Sequence, residues 1–159
     1  MTTLDSTLVS NFEATPAVMT DASLLTGVTR IAQGTLELAA GDSTDNDIVM
    51  LAPIPTHASI TSLKIATDTF GGSCTFNVGL YTSAGVVKDE DCFASSVADA
   101  GAMTDVRFEA ANITTCGDKV YTNAGDSSDP GGFYYVAVTF NATGGTAGSM
   151  SFIIEYVVN

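Results

Sequence analysis

From Val28 onward, apolar and polar residues alternate over short stretches separated by turn-forming clusters, the pattern of β-strands rather than long helices. Val28, Arg30, Ala32, Gly34, Leu36 and Leu38 share one parity and predict a ragged first strand. A turn cluster at 41–47 leads into the apolar run 48–51, a short buried strand that Pro53 and Pro55 are expected to end, because proline supplies no ladder donor. Residues 60–67 resume a strand and 70–73 turn. The cleanest alternation follows, with Cys74, Phe76, Val78 and Leu80 inward and Thr75, Asn77, Gly79 and Tyr81 outward. Residues 105–109 are strand-like, and 133–140 and 150–158 are aromatic and β-branched strands joined by a Gly-rich loop. In the last, Met150, Phe152, Ile154, Tyr156 and Val158 share one face and Ile153 and Val157 the other, so this strand is expected to be central in its sheet or at an interface.

Two stretches read as short helical turns. Asp89, Glu90 and Asp91 precede 92–98, and acids at a helix start are favoured by the macrodipole; 115–122 forms a second turn or two, with Gly125 as a stop. About eight strands with no strand–helix alternation predict an all-β protein: a single antiparallel β-sandwich of jelly-roll type over residues 28–159, with one or two short helical turns. Residues 1–27 differ. Leu4, Leu8, Val9, Phe12, Val18, Met19, Leu24 and Leu25 are scattered among Thr, Ser and Ala without a sustained period; a poorly ordered leader is one reading, but so many large apolar groups favour an extended N-terminal arm lying on a neighbouring subunit.

Composition narrows the function classes. The 159 residues fit one domain, of which roughly two-thirds of the surface is buried on folding. Eighteen acids against five bases give a net charge of −13, which repels phosphate backbones and argues against nucleic acid and anionic membranes as partners. Yet only 14% of residues are charged and 45% are hydrophobic, so the surface is rich in small neutral residues and some of it is expected to meet other protein. No stretch approaches the ~18 apolar residues of a membrane span, and the first residues lack the basic and apolar regions of a secretory signal, so synthesis in a cytoplasm is expected.

Candidate chemistry is sparse. His57, the only histidine, lies in a proline-framed loop with no nucleophile elbow nearby, and reads as an ordinary loop residue. Cys74, Cys92 and Cys116 show no Cys-x-x-Cys spacing and read as free thiols. Acids cluster at Asp42, Asp45 and Asp47, at Asp89, Glu90 and Asp91, and at Asp126 and Asp129; none has EF-hand spacing, and solvated turns explain them better than calcium. Glu37, Glu109 and Glu155 fall in expected strands and could in principle pair across a groove for glycoside hydrolysis, but the chain has no Trp for sugar stacking. No catalytic, cofactor-binding or metal-binding residue is therefore expected, and the chain is not expected to be an enzyme.

Four segments taken in order resemble the head decoration, or capsid cement, proteins of tailed bacteriophages. They are residues 54–60 (Ile-Pro-Thr-His-Ala-Ser-Ile) leading to Leu63-Lys64-Ile65, residues 76–81 (Phe-Asn-Val-Gly-Leu-Tyr), residues 88–95 (Lys-Asp-Glu-Asp-Cys-Phe-Ala-Ser) and residues 129–138 (Asp-Pro-Gly-Gly-Phe-Tyr-Tyr-Val-Ala-Val). The resemblance spans about 31–159 and implies a non-enzymatic virion protein on the capsid exterior. Its implied partners are the major capsid protein and two further copies of itself, as a homotrimer; it brings no catalytic residues. Alternatives from other classes are a receptor- or glycan-binding module, with Tyr81, Tyr121 or Tyr134 exposed as contacts, and a minor tail or neck component.

Overall fold

The structure, a computed structural model, describes residues 14–16, 28–99, 101–110 and 113–158; the arm expected over 1–27 lies outside them apart from 14–16. Eight strands follow in chain order: β1 Val28–Leu38, β2 Ile48–Pro55, β3 Ser59–Thr67, β4 Thr75–Tyr81, β5 Val87–Ala98, β6 Thr104–Asp105, β7 Phe133–Phe140 and β8 Gly148–Val158. Between β6 and β7 stand a 3-10 turn at Ile113–Gly117 and a single helical turn, α1, at Val120–Asn123, where helical turns were expected.

The strands form two antiparallel four-stranded sheets, β1-β8-β3-β6 (sheet A) and β2-β7-β4-β5 (sheet B). β1 pairs with β8, β2 with β7, β3 with β6 and β4 with β5, as in a long ribbon doubled back at the β4–β5 turn. Rolling that ribbon places β8 against β3 and β7 against β4, which closes each sheet and gives the jelly-roll order. β8 is central in its sheet, as its two apolar faces imply.

The core lies between the sheets. Sheet A supplies Ile60, Leu63, Ile65, Met150 and Ile154; sheet B supplies Ile54, Phe76, Val78, Leu80, Val136, Val138 and Phe140, all within 3% of complete burial. At one end Phe140 receives Phe70 and Phe76 edge-on, with ring centroids at 5.7 and 6.2 Å, geometry that adds to the burial itself. Phe70 is carried there by a turn whose Gly71, Gly72 and Ser73 all have positive φ (83°, 64° and 62°).

Three expectations are corrected. The helix expected over 92–98 is part of strand β5. β4 would otherwise expose a bare row of backbone groups, and a seven-residue helix has too little intrinsic stability to compete with that ladder. Pro53 and Pro55 lie inside β2 rather than ending it; β2 is an edge strand with a ladder on one side only, so alternate positions need no donor. Strand β6 is two residues long and excludes Glu109. The Asp105 carboxylate accepts from the Leu63 and Arg107 backbone N–H groups (3.3 and 3.1 Å) and from the Ser62 hydroxyl (2.7 Å), turning the chain away from the sheet.

Candidate interaction surface

The residues that could carry chemistry are dispersed. His57 is exposed in the β2–β3 turn, and Cys74, Cys92 and Cys116 are free, Cys74 buried and the other two half-buried. Burial pushes the Cys92 thiol well above its ordinary value, so it is a poor nucleophile. Glu37 lies opposite Ser149, whereas Glu155 lies opposite Ile31; that offset of six positions is about 20 Å along the strands, too far for a glycosidase pair. Glu155 is instead paired with Lys64 at 3.5 Å, and Glu109 accepts from the Ser95 backbone N–H at 2.6 Å. Among the described residues no three of His, Cys, Asp and Glu converge as a metal site.

Most acids of the turns tie backbone. Asp42 accepts from the Ala39 N–H (2.8 Å), Asp47 from the Thr44 N–H (2.9 Å) and its hydroxyl, and Asp68 from both the N–H and the hydroxyl of Ser149 (2.8 Å each). Asp129 accepts from the Thr56 hydroxyl and the Gly131 N–H, and Asp126 joins Lys88 (2.7 Å) to the Tyr134 hydroxyl. These bonds hold the Asp47, Asp68, Asp126 and Asp129 carboxyls below the usual carboxylate range. Carboxyls depressed in the fold contribute stability above their unfolded value near pH 4 and lose it as pH falls through their folded values. Burial pushes Asp89 the other way, so its charged form opposes folding above that value. The urea midpoint is therefore expected to be level from pH 7 to about 5 and to fall below about pH 4. The variant Asp68→Asn, which keeps one acceptor, should blunt that fall.

The tyrosines expected as exposed contacts are not available as such. Tyr81 is 1% exposed and Tyr134 is 8% exposed; Tyr121 is half-buried. Tyr81 is on the outward face of β4, but β5 bulges across that face, and between the pairs Leu80–Asp89 and Val78–Ala94 it carries three extra residues. The bulge rests on Gly79, where a side-chain carbon would stand 2.1 Å from the Asp89 carbonyl oxygen and 2.3 Å from the Glu90 carbonyl carbon. Beneath it the Tyr81 hydroxyl bonds the Thr139 hydroxyl, and burial raises its ionisation. Farther along, Asn77 accepts from the Ser96 N–H at 2.9 Å and from the Asn141 amide at 2.8 Å, fastening β5 to its neighbours.

Sheet A has no such cover among the described residues. Its middle outer rows, Thr35–Ser151–Ala66 and Gln33–Ile153–Lys64, are neutral apart from Lys64, which pairs with Glu155 of the adjoining row, and Glu37 is exposed toward the end of the same face. Ile31 and Met103 are 61% and 52% exposed. A depression of about 310 Å³ lies over this face between Gln33, Thr35, Met103, Ser151 and Ile153. A second, of about 400 Å³, opens between the ends of β1 and β2 and is lined by Leu36, Leu38, Ile48 and Met50 with Asp42 and Asp47 at its rim. The first lies over the β1–β8 pair and the second between β1 and β2; the edge of β1 away from β8 is unpaired among the described residues. This surface offers backbone and apolar contact.

Arg107 was missed by sequence reasoning. Charged residues are seldom fully buried, yet this one is, with Nε donating to the Ile60 carbonyl (2.8 Å) and Nη2 to the Thr115 carbonyl (3.1 Å). Its guanidinium lies over the Phe93 and Phe108 rings at 4.9 and 4.7 Å. The one available signal was its place between Val106 and Phe108.

No family model and no curated protein sequence matches the chain. Among solved structures it is similar to a chain in the capsid of Ralstonia phage GP4, with 16% identity over 84% of this chain and 85% of that one at a TM-score of 0.54. It is less similar to chains in the cyanophage Pam1 capsid asymmetric unit (13% identity, 84% and 86% covered, TM-score 0.47) and in the acidic stable capsid of the Helicobacter pylori bacteriophage KHP30 (11%, 83% and 90%, TM-score 0.41). The chain thus shares the sandwich fold of a chain found in the GP4 capsid.

Proposed function

We propose that this chain is a non-enzymatic structural protein of a phage particle, bound to the exterior of the capsid as a homotrimer and stabilising the shell through contacts between capsomers formed by the major capsid protein. The observation that carries this reading is the fold shared with a chain of the GP4 capsid at 84% coverage; the exterior, cementing part of it rests on the decoration-protein resemblance of residues 31–159. The physics of the surface supports it. A face mostly of Thr, Ser, Ile and Ala, with Glu37 and the Lys64–Glu155 pair as its charges, loses little hydration when it meets protein, and several turn carboxylates are engaged in bracing the backbone. Each standard-size contact of ~1,600 Å² can hold with micromolar or better affinity. Symmetry repeats that contact over the shell, so a modest protein resists expansion by number rather than by individual strength.

The test is removal and return. Particles assembled without the chain are expected to burst at lower temperature and under milder osmotic shock than complete ones, and added protein should restore both tolerances. Complete particles that lack the chain, or stripped particles with unchanged tolerance, would sink the stabilising role.

A further inference from the structure

Two sheets have four edges, and an exposed edge is a template for another strand unless it is blunted. Three are blunted here. β6 is two residues long; β2 carries Pro53, Pro55 and a register break at Leu51; β5 is broken in register three times and carries Asp89, Glu90 and Asp91. β1 has none of these devices. It runs eleven residues in unbroken register with β8, holds no proline, and has only Arg30 and Glu37 as charges. One depression opens beside it toward β2, lined by its Leu36 and Leu38 with Ile48 and Met50. This is the arrangement of strand addition, in which backbone bonds give affinity and flanking pockets read alternate side chains.

We propose that the free edge of β1 receives residues 3–13 of a second copy as an added strand. The inference rests on the oligomeric reading above. Residues 3–13 match β1 in length and lack glycine and proline; one parity carries Leu4, Leu8 and Phe12 with two serines, the other Thr3, Asp5, Thr7, Asn11 and Glu13 with Val9. That alternation suits an apolar groove on one side and solvent on the other. Residues 17–25, the nearest upstream stretch, carry apolar groups on both parities (Val18 and Leu24, Met19 and Leu25) and present no polar face. The fourteen residues from 14 to 27 reach up to about 46 Å when extended, enough to cross to a neighbour. Arms exchanged head to tail close a ring.

The experiment uses the full chain. Hydrogen exchange is followed residue by residue across protein concentrations, alongside mass by light scattering, for the native chain and for the double variant Leu8→Asp, Phe12→Asp. The outward N–H groups of β1 are expected to gain at least tenfold protection as the oligomer forms and to lose it in the variant, with β7 and β8 unchanged. Three results overturn the proposal. An oligomer whose β1 edge stays unprotected removes the docking and leaves the oligomeric reading intact. Protection independent of concentration assigns the edge to the chain's own arm. Concentration-dependent protection that survives the double variant assigns it to another part of the second copy. A chain that is monomeric at every concentration and absent from particles fails the functional reading itself.

Discussion

Replacing Gly79 with alanine is expected to cost about 3–4 kcal/mol, comparable to the loss of a large core side chain. The reason is position rather than conformation. A methyl group at 79 would stand 2.1 to 2.5 Å from the backbone of Asp89 and Glu90, where no rotamer change relieves the overlap. Either the β5 bulge lifts from β4 or β4 itself bends. The expected readout is a lower urea midpoint at unchanged slope, with a drop in melting temperature of roughly 6–16 °C for a chain of this size. Lifting β5 also uncovers Tyr81, which is buried beneath it. Tyrosine ionisation should then begin at lower pH in Gly79→Ala than in the native chain, because burial is the leading cause of its rise. Native-like stability in Gly79→Ala would mean that β5 is not seated as described.

The second large effect is at Arg107. Truncation to alanine is expected to cost about 3–5 kcal/mol, because it removes a fully buried side chain and leaves a cavity between two rings. Two carbonyls, those of Ile60 and Thr115, also lose their guanidinium donors. The charge itself opposes folding. Burial is the leading cause of the guanidinium's lowered pKa, and Nη1 has no hydrogen-bond partner. Methionine, which fills much of the same volume without the charge, should therefore cost only about 1–2 kcal/mol. Urea unfolding of Arg107→Ala and Arg107→Met measures the difference. Equal losses would show that the hydrogen bonds outweigh volume, and equal stability to the native chain would show that neither matters.

Parts of the candidate surface were legible in the sequence and parts were not. The low charge density already raised the expectation of protein contact without locating it, and the apolar residues on both faces of β8 already suited the central place it holds. That β1 is the unblunted edge was not legible, because an edge is a property of strand order. The tyrosines illustrate the same limit. Alternation correctly assigned Tyr81 to the outward face of β4, but outward means solvent only when nothing lies across that face, and β5 does. The acids of 89–91 are compatible with a helix start or a bulged strand, and the unpaired edge of β4 decided between them.

By itself the sequence determined the β class, the positions of most strands and the helical turns before β7, because these follow from local period, turn chemistry and composition. Only the tertiary structure decided the rolled order of the strands, the burial of Arg107 and Tyr81, and which edge stays open. Each of those depends on pairs far apart in the chain, such as Val28 with Val158 or Tyr81 with Thr139, and local preference carries no information about a partner many tens of residues away.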